Sequence, residues 1–403
     1  MESINIYNNL PLELWTHHIL PTLPVKTLLQ FRSVCKVWRD TIDDLRFVSK
    51  HMTLSTNNVE KNQVIALGRG EKLRYRLTVV NKNTLRKQAD LFEQSGDYVF
   101  HASCNGLFLA QPRFITYDGN WRLLGSPTVN LWNPSIRKSL NIPPCPLLDN
   151  FHFYSDVKYI FGFRPSRNDY VVFAFLDDEN RPMSFVQANL IMPVSFSVAV
   201  YTLSDNLWNI RDYKLILSLD NLLMLSDCVD QIVYRDGVLH WLGKDPHPKS
   251  DQGDPSFRTH LVSFDFELEN FSYLQLPDVS QASKTETFRY LFVLGESLAI
   301  FSISSEWSSI WVLKNKLWNL WFSGTKCFAG FNYIRKNPSV ATRVFVEHGG
   351  DITLVYGKAI YKIMSDEIQE LNESLNLQNL ILDNYMESLV LHKGCQGQVI
   401  NSL

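Results

Sequence analysis

One pattern recurs along this chain and limits what it can become. An apolar, aromatic stretch of strand length is followed by a polar turn and a second strand three to six residues on. The copies read VNLWNPSIRKSLNIP, VAVYTLSDNLWNIRD, LVSFDFELENFSYLQLP, SSIWVLKNKLWNLWF and GKAIYKIMSDEIQEL. Their marker aromatics, Trp132, Tyr201, Phe264, Trp311 and Tyr361, stand 69, 63, 47 and 50 residues apart, about 57 on average. A Gly-containing turn and an apolar strand precede most copies, as SCNGLFLA, YRDGVLHWL, LGESLAIF and HGGDITLVY. Before the second copy, YIFGFRPSRNDYVVFAF fills that slot. Asn105-Gly106 and Asp236-Gly237 are dipeptides that tolerate the positive φ of two-residue hairpin turns.

Units of about four strands cannot bury both faces alone, so they must stack on one another. Radial stacking into a kelch-like β-propeller also removes exposed sheet edges. The length remaining after the first fifty residues allows about six such units. Five are legible, and VIALGRGEKLRYRLTVV (Val64 to Val80) is expected to supply strands of another. NYMESLVLHKG (Asn384 to Gly394) is the candidate to pair with N-terminal strands and close the ring. The uneven spacing also fits a distorted propeller or an open stack of sheets.

The first fifty residues are patterned differently. Pro11 suits a first helical position and Glu13 the positive end of a helix dipole, with Leu14, Trp15, His18 and Ile19 on one face. LPTLP (Leu20 to Pro24) ends that helix. A second starts near Val25 with Leu28 and Leu29. A third is expected from Val34, Val37, Trp38, Thr41, Ile42 and Leu45, spaced three and four apart. About 35 residues are too few to hold a core by themselves. A unit so rich in large apolar side chains must dock, either on the rest of this chain or on another protein.

Composition excludes more than it selects. The chain is 45% hydrophobic and 20% charged, which marks a globular protein, and the net charge of −2 offers nothing to nucleic acid. Six Cys are scattered with no metal-ligand spacing, so neither a structural metal nor a disulfide scaffold is expected. No signal segment opens the chain, and the most apolar window, NLIMPVSFSVAVYTL, is too short to span a membrane. These features predict a soluble intracellular protein, cytoplasmic or nuclear, without cofactor.

The residues from Asn9 to Asp44 resemble an F-box. The motif stands here as Leu10-Pro11, Leu14, Ile19-Leu20, Leu23-Pro24-Val25, Leu28-Leu29, Phe31, Val34-Cys35-Lys36 and Trp38. FVSKHM (Phe47 to Met52) resembles the Phe-x-x-x-His that often follows it in plants. His17-His18 and Pro21 depart from the usual residues, and Pro21 is expected to shorten the first helix. Farther on, SCNGL, LWNPSIRK, DGVLHWL, LVSFDFELENF and IWVLKN resemble the recurrent blocks of the plant F-box-associated domain, in order. FGFRPSRNDY is a degraded form of its Gly-Phe-Gly-Tyr-Asp-Pro block.

The resemblance implies a two-part α+β chain. A three-helix F-box over residues 1–50 precedes a connector with possible first strands over 51–95. A mostly-β kelch-like propeller of about five to six blades then covers 96–395. It implies that the helices bind a Skp-type adaptor, and through it the cullin and RING subunits of a ubiquitin ligase, while the β domain holds a protein target. The adaptor contacts would come from Leu10, Pro11, Leu14, Ile19, Leu20, Leu23, Pro24, Val25, Leu28, Leu29, Phe31, Val34 and Trp38. Some of these must hold the helices to each other, and spacing alone does not sort the two sets.

No catalytic motif stands out: G-x-S-x-G, H-E-x-x-H and G-x-x-x-x-G-K-[ST] are all missing. Two polar inserts are candidate target contacts, because binding residues concentrate on loops of a rigid scaffold. QPRFITYDGNWRLLGSP offers Arg113, Tyr117, Trp121 and Arg122, residue types enriched at interface hot spots, and LGKDPHPKSDQGDPSFRTH offers His247 and Arg258. The competing reading is a propeller enzyme or small-ligand sensor capped by the helices. It would need converging polar groups in the channel, with His240 and Asp245 the first pair to inspect.

Overall fold

The computed structural model describes residues 11–57, 63–69, 74–81, 87–95, 98–112, 129–148, 157–176, 194–215, 232–243, 260–277, 287–324, 342–346, 352–356, 359–362, 367–370, 378–384, 386–391 and 400–402. Helices come first. α1 (Leu12–Leu14) follows Pro11 and opens into a wide turn over Trp15–Ile19, where the Leu20 N–H reaches back to the Trp15 carbonyl. A tight turn at Leu20–Thr22, with Pro21 in it, stops this helix. α2 (Val25–Phe31) then follows Pro24. α3 (Lys36–Ile42) is capped by Cys35, whose sulfur accepts the Trp38 N–H at 3.5 Å.

The third helix expected from Val34 to Leu45 is shorter than its periodicity. It stops at Ile42, and α4 (Leu45–Asn57) begins after a break at Asp43 and Asp44. The reason is local. The Asp44 carboxylate accepts the Arg46 N–H at 2.8 Å, and Asp43 is taken by Arg32. Short acids that bond nearby backbone favour helix ends over helix interiors.

The strands form six sheets among the described residues. β1 (Gln63–Arg69), β2 (Arg74–Asn81) and β3 (Lys87–Ser95) begin the first. β4 (Tyr98–Cys104), β5 (Leu107–Pro112), β6 (Asn130–Asn133) and β7 (Lys138–Asn141) make the second. β8 (Val157–Arg164), β9 (Asp169–Leu176), β10 (Val194–Thr202) and β11 (Leu207–Leu215) make the third. The fourth holds β12 (Val233–Arg235), β13 (Val238–Gly243), β14 (His260–Asp265) and β15 (Asn270–Gln275). β16 (Phe288–Leu294), β17 (Ser297–Ile303), β18 (Ser308–Lys314) and β19 (Leu317–Gly324) are the fifth. β20 (Thr342–Val346), β21 (Ile352–Tyr356), β22 (Ala359–Lys362) and β23 (Glu367–Glu370) are the sixth.

Each complete sheet is an antiparallel meander, and each of the five marker aromatics lies on the third strand of its sheet. Trp132, Tyr201 and Phe264 there are almost fully buried. Asn105 and Gly106, like Asp236 and Gly237, sit in the left-handed region at the turns between first and second strands. Successive sheets share cores. One cluster joins the second and third sheets through Leu131, Tyr201 and Phe161, and another joins the third and fourth through Phe173, Trp241 and Phe264. Two more join the fourth to the fifth and the fifth to the sixth. This is how a propeller buries faces that no single blade can cover.

The ring-closing strand is β24 (Gln378–Asn384), which pairs antiparallel with β1 as Ile65↔Asp383 and Ala66↔Leu382. The expected stretch, Asn384 to Gly394, overlaps it at Asn384 alone. Beyond β24, Met386–Leu391 leaves the sheet and binds under the helices, so its backbone groups are committed elsewhere. β25 (Ile400–Ser402) pairs with β7 and adds a fifth strand to the second sheet.

Candidate adaptor surface and its seat on the sheets

Burial sorts the apolar residues of the helices into two sets. Leu20, Val25, Leu28, Ile42 and Phe47 are 0–6% exposed and form one cluster with Leu389 from the far end of the chain. Leu23, Leu29, Phe31 and Trp38 pack against it while staying partly exposed. Facing water are Leu12 (52% exposed), Leu14 (40%), Val34 (62%), Val37 (45%) and Leu45 (71%). An aromatic stack ties the elements together, with Trp38 5.0 Å from Phe31 and 5.4 Å from Trp15.

Burial thus divides the residues expected at the adaptor into buried and exposed sets, which spacing alone did not sort. Leu20, Val25 and Leu28 are closed off in the core and hold the helices to one another. Pro11, Leu14, Pro24 and Val34 are exposed, and Ile19, Leu23, Leu29, Phe31 and Trp38 are half-buried. Leu10 lies outside the described residues. Leu12, Val37 and Leu45 were absent from the sequence-based set, yet they are exposed large apolar residues among those described. The place of Val37 and Leu45 in the three- and four-residue pattern was the available signal.

Polar contacts fix the helices in one arrangement. The Arg32 guanidinium forks onto Asp43 at 2.8 and 3.0 Å, and the Asp43 side chain is only 2% exposed. This bond is the main reason the Arg32 guanidinium is held above its ordinary pKa. Lys50 donates to the His17 carbonyl at 2.9 Å, and His51 bonds the Leu23 carbonyl at 3.0 Å. Lys138 of β7 is near enough to feel Arg32. Burial first, and then the Arg32 charge, push its ammonium below the usual range.

The helices are seated on the second and third sheets. Met52 of α4 enters the core those sheets share, where its sulfur accepts from the Tyr170 hydroxyl at 3.4 Å. Ile136, in the β6–β7 turn, packs against the helical cluster. That turn and Asn105-Gly106 lie at the same edge of the second sheet, because both are first-to-second or third-to-fourth strand connections of one meander.

Arg113, Tyr117, Trp121, Arg122, His247 and Arg258, the candidate target contacts, lie outside the described residues, as does Asp245. The strand ends that flank them are described. β5 ends at Pro112 and β6 starts at Asn130, while β13 ends at Gly243 and β14 starts at His260. In an antiparallel meander these ends lie at the edge opposite the tight hairpin turns. His240 has a structural partner, since its Nδ1 stands 2.7 Å from Ser263 Oγ on the neighbouring strand. Among the described residues no group of three His, Cys, Asp or Glu could hold a metal, and no helix is long and apolar enough to cross a membrane.

Residues 48–391 match the model of the F-box associated beta propeller domain, and residues 8–50 match the F-box domain. The chain belongs to the F-box-associated β-propeller family. Relatives within it are distant. An F-box/kelch-repeat protein of Arabidopsis thaliana is 24% identical over 67% of this chain and 66% of its own length. F-box/WD-40 repeat-containing protein 1 of the same plant is 26% identical over 79% of this chain and 68% of its own. A third Arabidopsis F-box protein is 24% identical over 88% of this chain and 86% of its own. The chain spans 66% and 60% of the length of two of the curated relatives it matches. Among solved structures, YjhT shares 10% identity with a TM-score of 0.37, covering 77% of this chain and 95% of that one.

Proposed function

We propose that this F-box-associated propeller protein is a non-catalytic substrate-recognition subunit of a cullin–RING ubiquitin ligase. Its helices dock on a Skp-type adaptor, which carries the cullin and RING subunits, and its β domain holds a protein target. The observation that carries the reading is the set of water-facing apolar residues Leu12, Leu14, Val34, Val37 and Leu45 around the Trp15–Trp38–Phe31 stack. Apolar side chains on a surface rigidly held from beneath mark a protein interface. The match of residues 8–50 to the F-box domain supports the adaptor as the partner.

The target would lie on the face opposite the helices. Both polar inserts leave and re-enter their sheets at that edge, so Arg113, Tyr117, Trp121, Arg122, His247 and Arg258 are assigned to it. Such a division lets one face hold the ligase while the other holds the target. Titration of a purified Skp-type adaptor into the full chain tests the reading. Binding below about 1 μM, near −8 kcal/mol, is expected. A folded chain that binds no adaptor would overturn it.

A further inference from the structure

The six residues that follow the ring-closing strand carry contacts to both halves of the molecule. Leu389, 1% exposed, is part of the helical core itself. Glu387 Oε2 accepts the Val25 N–H at 2.9 Å, capping α2 where Pro24 provides no side-chain cap. On the other side, Asn133 of β6 is fully buried and donates from Nδ2 to the carbonyls of Ser388 at 2.9 Å and Val390 at 2.7 Å. The Ser388 N–H is donated to Ser135 Oγ at 3.2 Å. A Cβ on Gly106 would come within 2.4 Å of the Met386 carbonyl oxygen, so the first hairpin turn of the second sheet is pressed against the same segment.

The backbone adds an independent sign of constraint. Leu391 has φ +68° and is 5% exposed within the core of the second and third sheets. A leucine stays in the left-handed region only where its surroundings enforce it.

We infer that Met386–Leu391 is a clasp that couples closure of the propeller ring to the seating of the N-terminal helices. The same run of chain supplies β24 to the first sheet and Leu389 and Glu387 to the helices. Opening of the ring at β24 therefore withdraws the residue that completes the helical core. The orientation of the helices is set by this late segment of the β domain as well as by α4. This inference stands whether or not the helices bind an adaptor.

Native-state amide exchange of the full chain in low guanidinium tests it directly. The amides of Leu28 and Leu29 in α2 and of Ile65 and Leu67 in β1 should merge onto one opening isotherm, apart from Val172 and Ala174 in β9. Separate isotherms for α2 and β1 would overturn the coupling. Two variants sharpen the test. Leu389→Ala should speed exchange in α2 by at least ten-fold without changing β9. Asn133→Ala removes the two side-chain hydrogen bonds from β6 to the clasp without touching α2, and it should speed α2 exchange as well. If α2 keeps its parental rates in Asn133→Ala, the helices are held without the clasp and the proposal fails. Should either variant not fold, the parental isotherms decide alone.

Discussion

Replacing Val34 and Val37 together by Asp separates docking from folding. Both side chains face water, at 62% and 45% exposure, and Val37 lies in the first turn of α3. An acid there meets the favourable end of the helix dipole, so folding stability should change by no more than about 0.5 kcal/mol at each site. Docking is a different matter. A fully buried Val is worth about 1.5 kcal/mol or more, so covering the exposed halves of the two contributes about 1.5 kcal/mol in all. Placing two carboxylates in an apolar contact costs at least about 1 kcal/mol each in addition. The expected loss is therefore about 3 to 4 kcal/mol, on the order of several hundred-fold in Kd. Leu28→Ala is the opposite probe. Leu28 is 0% exposed, so truncation should cost about 2–5 kcal/mol of stability and, while the chain stays folded, less than about ten-fold in affinity. Calorimetric titration of adaptor, paired with thermal unfolding of each variant, reads both quantities. Adaptor binding by the double Asp variant within three-fold of the parent would refute the docking surface. So would a Leu28→Ala chain that loses all affinity while unfolding at the parental temperature.

Other expectations follow from single contacts. Gly162 of β8 has no room for a methyl, because its Cβ would lie 2.2 Å from the Phe266 ring in a fully buried site. Gly162→Ala should cost about 2 kcal/mol or more and lower Tm by a few degrees, and an unchanged calorimetric Tm would show that the sheets give way freely. Arg32→Ala strands the Asp43 carboxylate, whose side chain is 2% exposed, and should cost about 2 kcal/mol by chemical denaturation. Discounting for the 36% exposure of Arg32 keeps that figure below the range for fully buried pairs. His240 has its pKa pushed down to about 4, first by burial and then by the Arg235 charge. Because the unfolded chain takes up that proton near pH 6.5 and the folded chain only near pH 4, stability is complete above 6.5. It falls by up to about 3 kcal/mol as pH drops to 4. Asp169, raised chiefly by burial, works in the opposite sense at the acid end, so the test is the difference made by His240→Gln. That variant should flatten the loss between pH 6.5 and 4, and an identical pH slope would show that His240 does not titrate as argued.

Much of the β domain was legible because a propeller repeats its physics. Trp132, Tyr201, Phe264, Trp311 and Tyr361 all fall on the third strand of a sheet, where Trp132, Tyr201 and Phe264 are packed between neighbours, and the Asn-Gly and Asp-Gly turns recur because two-residue hairpins need positive φ. Val64 to Val80 was expected to supply strands of a further unit, and β1 and β2 pair there in antiparallel register. The closing strand was not. QNLILDN in β24 carries no aromatic marker, and its pairing with β1 joins residues more than 300 positions apart. The break between α3 and α4 escaped notice because Asp43 and Asp44 fall between apolar positions and leave the period intact. Nor could spacing divide buried Leu28 from exposed Val34, since both faces of the helical unit are apolar.

That double-faced character resolves what a helical unit of this size needs. Its inner face lacks enough residues to close a core, and Leu389 with Ile136 fills the gap from the β domain. Its outer face keeps Leu12, Val34, Val37 and Leu45 exposed among the described residues. These four stand at 45–71% exposure there, as Leu207, Leu268 and Leu317 do on the β domain, so it is the match of residues 8–50 to the F-box domain that singles out the helical face for docking. The inner face therefore explains why the helices stay, and the outer face is the one the proposed docking would cover. The two requirements are separable by substitution, since Leu389 acts on the first and Val34 on the second.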